Sequence, residues 1–192
     1  MPQYHTRGSM MHNNSVSQTQ ALSPITIELQ TQTETALEEV RVNMAELKAE
    51  DKPVELVTSV GSCIAICIHD SIKKCGGLAH IMLPDSSIAP RESLPAKFAD
   101  SAVPALIKEI KNLGGNPKHL YAKIAGGANM FPNMNCLNIG AKNIDATRLV
   151  LEKHKIKLVA EDVGGQNGRR ITFNIATGVV TVKRFNGANT KL

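Results

Sequence analysis

The apolar residues of this 192-residue chain fall mostly after residue 37, in short runs separated by polar or glycine-rich breaks. Two consecutive runs, CIAICIH and GGLAHIMLP, are apolar at both odd and even positions. Because side chains alternate between the two faces of a strand, both faces of these strands must be covered. The pattern therefore predicts a β-hairpin in the middle layer of the fold, with the turn at Asp70-Ser71-Ile72-Lys73.

Shorter runs on either side of this hairpin predict six more strands. EEVRVNM and VELVTSV precede it, and the polar stretch KAEDKP between them is predicted to be a loop. LYAKIAGGANMF and KLVAEDVGG follow it, each as a strand that ends in a glycine turn. RRITFN and VVTVKRF form a second hairpin around Ala176-Thr177-Gly178.

Two other stretches have the period of an amphipathic helix. KFADSAVPALIKEIKNLGG ends at Gly114 and Gly115, which suit a C-terminal cap, and Pro104 predicts either a kink or a helix start. NIGAKNIDATRLVLEKHKI predicts a second helix with Asn143 as its N-cap. Strands thus outnumber helices by about three to one, which favours an α+β or layered α/β domain with a mostly antiparallel or mixed sheet.

The N-terminal segment, residues 1–36, differs in texture from the rest because it is rich in Gln, Thr, Ser and Asn. Such a segment buries too little apolar area to offset the entropy lost on ordering, so a disordered tail is expected. The alternation of Ile25, Ile27 and Leu29 leaves open an added edge strand. Residues 37–192 are predicted to form a single domain.

Composition narrows the class of protein. The net charge is +5, but aromatic residues make up only 3% and Trp is absent, which argues against a nucleic-acid-binding protein. No apolar run approaches the roughly 20 residues of a membrane helix, and the N-terminus lacks the apolar core of a signal peptide. The cysteines, at positions 63, 67, 75 and 136, match no disulfide framework, so reduced thiols in the cytoplasm are expected.

The first hairpin carries a cysteine and a histidine that register could bring together. If Asp70 pairs with Lys73, Cys63 lies directly opposite His80, with Cβ atoms roughly 4.5–5.5 Å apart. A turn longer by two residues makes them diagonal neighbours at roughly 7–8 Å on the same face. A turn longer by one residue would place them on opposite faces.

A cysteine and a histidine on one face suit acyl transfer, because the imidazole can take the thiol proton and give a thiolate nucleophile. Gly61 and Ser62 permit a tight turn whose backbone N–H groups could stabilise an oxyanion. The alternative is that Cys63 and His80 are ordinary core residues. A metal site is disfavoured, because strand residues four apart are separated by about 13 Å.

The motifs of this chain resemble those of the CheD family, the chemoreceptor glutamine deamidases of bacterial and archaeal chemotaxis. GSCIAICIHD and KKCGGLAHIMLPDS carry the likeness, and AKIAGGANMF, LNIGAKN and LVAEDVGGQNGRRITFNIATGVVTV follow in the family's order. The resemblance covers about residues 40–185. It implies a layered α/β/β sandwich with two main helices.

The resemblance also implies an activity: hydrolysis of selected receptor glutamine side chains to glutamate through a thioester, and possible action on glutamate methyl esters. It makes Cys63 the nucleophile and His80 the base, with no cofactor and no metal. The family's third catalytic residue is a threonine six residues before the cysteine. Here Val57 holds that place and Thr58 lies five before, so Thr58 is the candidate and Ser59 the second choice.

Further residues and partners complete the expectation. The cytoplasmic helices of chemoreceptors are the implied protein substrate, and a CheC-like phosphatase is the implied partner, without nucleic acid or membrane insertion. Arg169 and Arg170 could bind acidic receptor helices, or lie in a solvated turn. The alternative function is a non-enzymatic module that docks on receptors or on the phosphatase. The candidate substrate-binding residues are Gly61, Ser62, Gly126, Gly127 and Asn129.

Overall fold

The computed structural model describes residues 37–89, 94–130, 138–185, 187 and 189–192. The polar segment 1–36, with its candidate edge strand, and Cys136 lie outside the described residues. The strands and α-helices within the described ranges are β1 (Glu39–Arg41), β2 (Leu47–Glu50), β3 (Glu55–Val60), β4 (Ile64–Asp70), β5 (Cys75–Ile81), α1 (Ala99–Asn112), β6 (Leu120–Gly126), α2 (Ile139–Lys153), β7 (Lys157–Val163), β8 (Arg169–Asn174), β9 (Val180–Arg184) and β10 (Asn189–Lys191).

The strands form two five-stranded sheets, in the orders β1-β3-β8-β9-β10 and β2-β5-β4-β6-β7. Most neighbours are antiparallel, whereas β1 with β3 and β6 with β7 are parallel. Apolar residues of both sheets share one core cluster, so the sheets pack face to face. The predicted layered α/β/β architecture with two main helices is confirmed.

The β4–β5 hairpin occupies the middle layer, as its two apolar faces predicted. Ile64, Ile66 and Ile68 face the helices and share a core cluster with residues of α1 and α2. Ala65 and Cys67 face the other sheet and pack in the second cluster. Every residue of both strands is buried, because each face is covered by a layer.

The two helices follow the predicted spacing but differ in how they begin. Helix α1 ends in a Schellman cap, with the N–H of Gly115 donating to the carbonyl of Ile110 and Gly114 at a φ of 88°. It already begins at Ala99, so the prediction of a regular start at Pro104 is wrong. Asn143 is not the N-cap of α2, because Asn138 accepts from the N–H of Ala141 and Asn143 lies inside the helix.

The sequence pattern did not predict two of the strands, β2 and β10. The stretch predicted as a polar loop contains most of β2, whose residues Leu47–Glu50 pair with β5. β2 lies at the edge of its sheet, where charged side chains are ordinary and hide the apolar alternation. β10 is a three-residue edge strand paired with β9. Across the described ranges, no helix combines the length and apolarity needed to span a membrane.

Candidate active site

The site is built where the two sheets face each other, with Thr58 on β3 and His80 on β5. Thr58 and His80 are both buried, and Thr58 Oγ1 lies 2.8 Å from His80 Nδ1. Strand alternation turns Thr58 toward the opposite sheet, with Leu56 and Val60, and leaves Ser59 exposed. Of the two candidates from the sequence, Thr58 is therefore the one in contact with His80.

The same hydroxyl assigns the tautomer of His80. Thr58 has a single hydroxyl proton, which it donates to the carbonyl oxygen of Val42 at 2.8 Å. For the 2.8 Å contact with His80 to be a hydrogen bond as well, Nδ1 of the imidazole must carry a proton and donate it. His80 Nε2 is then the unprotonated nitrogen, and it is buried without a hydrogen-bond partner among the described residues. A histidine held in this tautomer presents a free lone pair, as a general base requires.

Cys63 lies immediately before β4, on the face that carries His80. The hairpin pairs Asp70 with Cys75 and Ala65 with His80, so the turn is two residues longer than the shortest register considered. Cys63 lies one residue beyond the end of this ladder, and extending the register places it diagonal to His80. Its side chain is half-buried and packs against the core cluster between the sheets, to which Ala65 and Cys67 belong.

Both groups are neutral at ordinary pH because both are withdrawn from water. Burial raises the pKa of the Cys63 thiol above 9.0, although its own backbone N–H partly offsets this by hydrogen bonding to the sulfur. Burial lowers the pKa of His80 below 6.5. The resting pair is therefore a thiol and a neutral imidazole, and a thiolate forms only by proton transfer.

The loop before β4 is held by three hydrogen bonds to its three successive carbonyl groups. The carbonyl of Gly61 accepts from the N–H of Ala128 at 2.8 Å, and that of Cys63 from the N–H of Gly127 at 2.8 Å. The carbonyl of Ser62 accepts from Asn143 Nδ2 at 3.0 Å. The loop is thus tied down on its carbonyl side, and within the described ranges the N–H of Ser62 donates to no other residue.

The glycine turn after β6 makes this close approach possible. A Cβ at Gly126 would lie 2.2 Å from the carbonyl oxygen of Cys63, and Gly126 has a φ of 124°, so no larger residue fits. The N–H of Asn129 donates to the carbonyl of Gly165. Gly126 and Gly127 therefore lie against the backbone of Cys63, whereas Asn129 is bonded to Gly165, and contact of any of the three with a substrate stays a prediction.

The two arginines of the NGRR stretch have different environments. Arg169 is buried, forms an ion pair with Asp162 and donates to the carbonyls of Gly126 and Gly164. Through these bonds Arg169 stabilises the glycine turn after β6, and because it is buried it is not available to bind a receptor. Arg170 reaches the surface and forms an ion pair with Glu39 at 2.7 Å.

An open cleft of about 190 Å³ leads to His80 from the surface. Arg41 and Arg170 line it, the latter already paired with Glu39, and Met44, which is 56% exposed, supplies an apolar contact. Thr58 and His80 line it as well. The residues that line this cleft do not include Cys63, so the cleft opens the Thr58–His80 end of the site to solvent.

Asn143 is the residue of this site that the sequence pattern missed. It is fully buried, and its amide nitrogen donates to the carbonyl oxygens of Ser62 at 3.0 Å and Met82 at 2.9 Å. Its spacing from Gly140, Thr147 and Leu151 places it on the buried face of α2. That spacing is visible in the sequence, but an asparagine near a helix start resembles a cap.

Comparisons with known proteins identify the family of the chain. The family model described as "CheD chemotactic sensory transduction" matches residues 82–184, just over half of the chain, beginning two residues after His80. A protein of Desulforamulus reducens named "Probable chemoreceptor glutamine deamidase CheD" is 44% identical over 149 residues, which cover 76% of this chain and 90% of that protein. The "Chemoreceptor glutamine deamidase CheD" of Thermotoga maritima is 42% identical, over 76% of this chain and 92% of that protein.

Proposed function

The chain belongs to the CheD family, and from that premise we propose that it hydrolyses glutamine side chains of chemoreceptors to glutamate. Cys63 is the nucleophile, His80 the general base and acid, and Thr58 the residue that orients His80. Relatives at 42–44% identity carry the name chemoreceptor glutamine deamidase and align over about three quarters of this chain. The proposed location is the cytoplasm, where the signalling helices of such receptors lie.

The first half of the reaction forms a thioester. His80 Nε2 removes the thiol proton of Cys63, and the sulfur attacks the carboxamide carbon of the glutamine side chain. The carbonyl π electrons move to oxygen and give a tetrahedral oxyanion. The imidazolium then protonates the amide nitrogen, the C–N bond breaks, and ammonia leaves while the C=O bond re-forms.

The second half releases glutamate. Neutral His80 takes a proton from water, which attacks the thioester carbon, and the C–S bond breaks with return of the proton to the Cys63 sulfur. A glutamate methyl ester would follow the same steps with methanol as the leaving group. Thr58 holds the imidazole by Nδ1 through the 2.8 Å contact, so Nε2 stays in the tautomer that both halves use.

One observation carries this proposal above the others. Thr58 bonds His80 Nδ1 and leaves Nε2 unpaired among the described residues, on the sheet face that also carries Cys63. A histidine serving only the core would be expected to have both ring nitrogens bonded, because an unpaired buried polar atom costs roughly 1–3 kcal/mol.

The test is incubation of the full chain with the cytoplasmic fragment of a cognate chemoreceptor. Mass spectrometry of the digested receptor should show Gln-to-Glu conversion at discrete positions, abolished in Cys63→Ala. Cys67→Ala is the matched control, because Cys67 is buried four residues further along the chain in β4 and its thiol has no role in the proposed reaction. Conversion that survives in Cys63→Ala would refute the mechanism.

A docking role is the second candidate. The open cleft is lined by Arg41 and by Arg170, whose ion pair with Glu39 is exposed and can exchange for a carboxylate of a negatively charged protein surface, whether that of a receptor or of a CheC-like phosphatase. If wild-type protein binds the receptor fragment but converts no glutamine in it, docking is the function and the deamidase proposal fails.

A further inference from the structure

We infer that Asn143 is a positioning residue for acyl transfer at Cys63, acting through the Ser62–Cys63 peptide; this inference rests on the proposed function. Asn143 projects from the buried face of α2. Its two amide protons donate to the carbonyls of Ser62 and Met82. Ser62 directly precedes the nucleophile, and Met82 lies two residues after His80. One side chain therefore connects the loop of Cys63 to the strand of His80.

The orientation of the Asn143 amide follows from its partners. Both partner atoms are carbonyl oxygens, which only accept, so both contacts must be made by the NH₂ group. The amide oxygen is left buried without a partner among the described residues. A leucine would fill similar space in this apolar layer without that cost. Asparagine is therefore justified here by its two donated bonds and not by packing.

Those bonds matter because of peptide geometry. In a planar trans peptide, the C=O of one residue and the N–H of the next point in opposite directions. Asn143 holds the Ser62 carbonyl toward α2, so the N–H of Cys63 points away from α2. That N–H belongs to the same residue as the sulfur and is near enough to lower the pKa of the thiol. A backbone donor beside the sulfur is in place to receive the oxyanion that forms when the sulfur attacks a carbonyl carbon.

The preceding peptide, Gly61–Ser62, is also oriented by a hydrogen bond to its carbonyl group. The carbonyl of Gly61 accepts from the N–H of Ala128, so the N–H of Ser62 points away from Ala128. Ala128 acts through its backbone and cannot be removed by substitution, whereas Asn143 acts through its side chain. Asn143 is thus the point at which the donor geometry can be altered while Cys63, His80 and Thr58 are left intact.

The experiment compares two reactions of Cys63 that differ in their need for an oxyanion donor. Acylation by p-nitrophenyl acetate passes through a tetrahedral oxyanion, whereas alkylation by iodoacetamide does not. Both rates are measured on wild type, Asn143→Leu and Asn143→Ser, with receptor deamidation alongside. Thr147→Val is the matched control, because Thr147 lies one turn further along α2, is fully buried, and its hydroxyl has no hydrogen-bond partner in the described part of the chain.

For Asn143→Leu, the ratio of acylation to alkylation should fall roughly 10- to 100-fold, somewhat less than the roughly 10²–10³ that outright loss of an oxyanion donor costs. Deamidation should fall in kcat with little change in KM. Asn143→Ser, which is too short to reach both carbonyls, should show the same ratio change, and Thr147→Val should behave as wild type.

An unchanged ratio in both Asn143 variants would overturn the inference, whether both rates stay as in wild type or both fall by the same factor, as general loosening of the loop predicts. If Asn143→Leu does not fold, Asn143→Ser decides by the same ratio. Wild type that is acylated by the ester but converts no receptor glutamine would count against the proposed function alone, because the ratio measurement needs no receptor.

Discussion

The β4–β5 hairpin contains two buried histidines on the same face, and they differ in one bond. His69 and His80 each have a hydroxyl at Nδ1, from Tyr121 at 3.1 Å and from Thr58 at 2.8 Å. His69 Nε2 lies 2.7 Å from the carbonyl of Ile175, whereas His80 Nε2 has no partner among the described residues. The structural histidine thus differs from the candidate catalytic one in whether Nε2 has a hydrogen-bond partner.

His69 and His80 are in opposite tautomers, because in each ring the hydrogen-bond partners determine which nitrogen carries the proton. The carbonyl of Ile175 only accepts, so His69 carries its proton on Nε2 and accepts from Tyr121 at Nδ1. Thr58 donates to Val42, so His80 carries its proton on Nδ1. Burial lowers the pKa of both histidines, so both stay neutral. Only His80 keeps a lone pair free for chemistry.

The largest expected effect comes from removing each ring in turn. His80→Ala should reduce receptor deamidation at least about 100-fold, since a positioned general base contributes roughly 10²–10⁴. His69→Ala should keep most activity and lose about 1–3 kcal/mol of unfolding free energy, because it leaves the Ile175 carbonyl buried and unbonded. Mass spectrometry and urea unfolding measure the two quantities. A folded His69→Ala that is as inactive as His80→Ala would contradict the distinction.

A smaller effect is expected from the hydroxyl that orients His80. Thr58→Val keeps the shape but removes the contact, so the imidazole is free to change tautomer. The kcat for deamidation should fall roughly 10- to 100-fold, part of the roughly 10²–10⁴ due to the base. Thr58→Ser should restore most of it. Equal rates in the valine and serine variants would show that the hydroxyl does not act on His80.

The pH dependence of the reaction should reflect the buried state of His80. Because burial lowers the pKa of His80 below 6.5, the base remains unprotonated at pH values where an exposed histidine would be half protonated. The acid limb of kcat/KM should therefore lie below pH 6.5, with activity lost only as the pH falls through the lowered pKa. A limb at or above 6.5 would mean that protonation of the site is not opposed by burial.

The smallest effect is expected at the hydroxyl beside His69. Tyr121→Phe removes a bond to Nδ1 of a ring that is still held through Nε2. The unfolding free energy should fall by about 0.5–1.5 kcal/mol, and the deamidation rate should not change. Paired with Thr58→Val, this tests whether two hydroxyl–imidazole contacts in one hairpin serve stability and catalysis separately. A rate loss in Tyr121→Phe matching that in Thr58→Val would erase the contrast.

Local patterns were sufficient for much of the fold. The two-faced hairpin, the spacing of α1 and its glycine cap follow from which residues alternate or recur, because these depend on backbone geometry alone. The edge strand β2 was missed, because its exposure removes the apolar signal. Asn143 was misplaced as a cap, because its partners, the carbonyls of Ser62 and Met82, are 81 and 61 residues away in the chain.

The turn of the β4–β5 hairpin shows that the local pattern does not determine the register. Side chains alternate along a strand, so Cys63 and His80 lie on one face whether the turn has two residues or four. The longer turn forms because the Asp70 carboxylate accepts from the N–H groups of Ile72, Lys73 and Asn116, and Lys74 takes a φ of 59°. Asn116 belongs to a distant loop, so the register depends on a contact that the hairpin sequence does not contain.

The sequence by itself determined that Cys63 and His80 could share a face, since side-chain alternation is a property of any strand. The tertiary structure decided that Thr58, and not Ser59, meets His80, because that depends on which face of β3 packs against the second sheet. It also decided which histidine of the hairpin has an unbonded nitrogen. That property depends on distant carbonyl groups, and a hydrogen bond forms only where packing of the layers brings its donor and acceptor together.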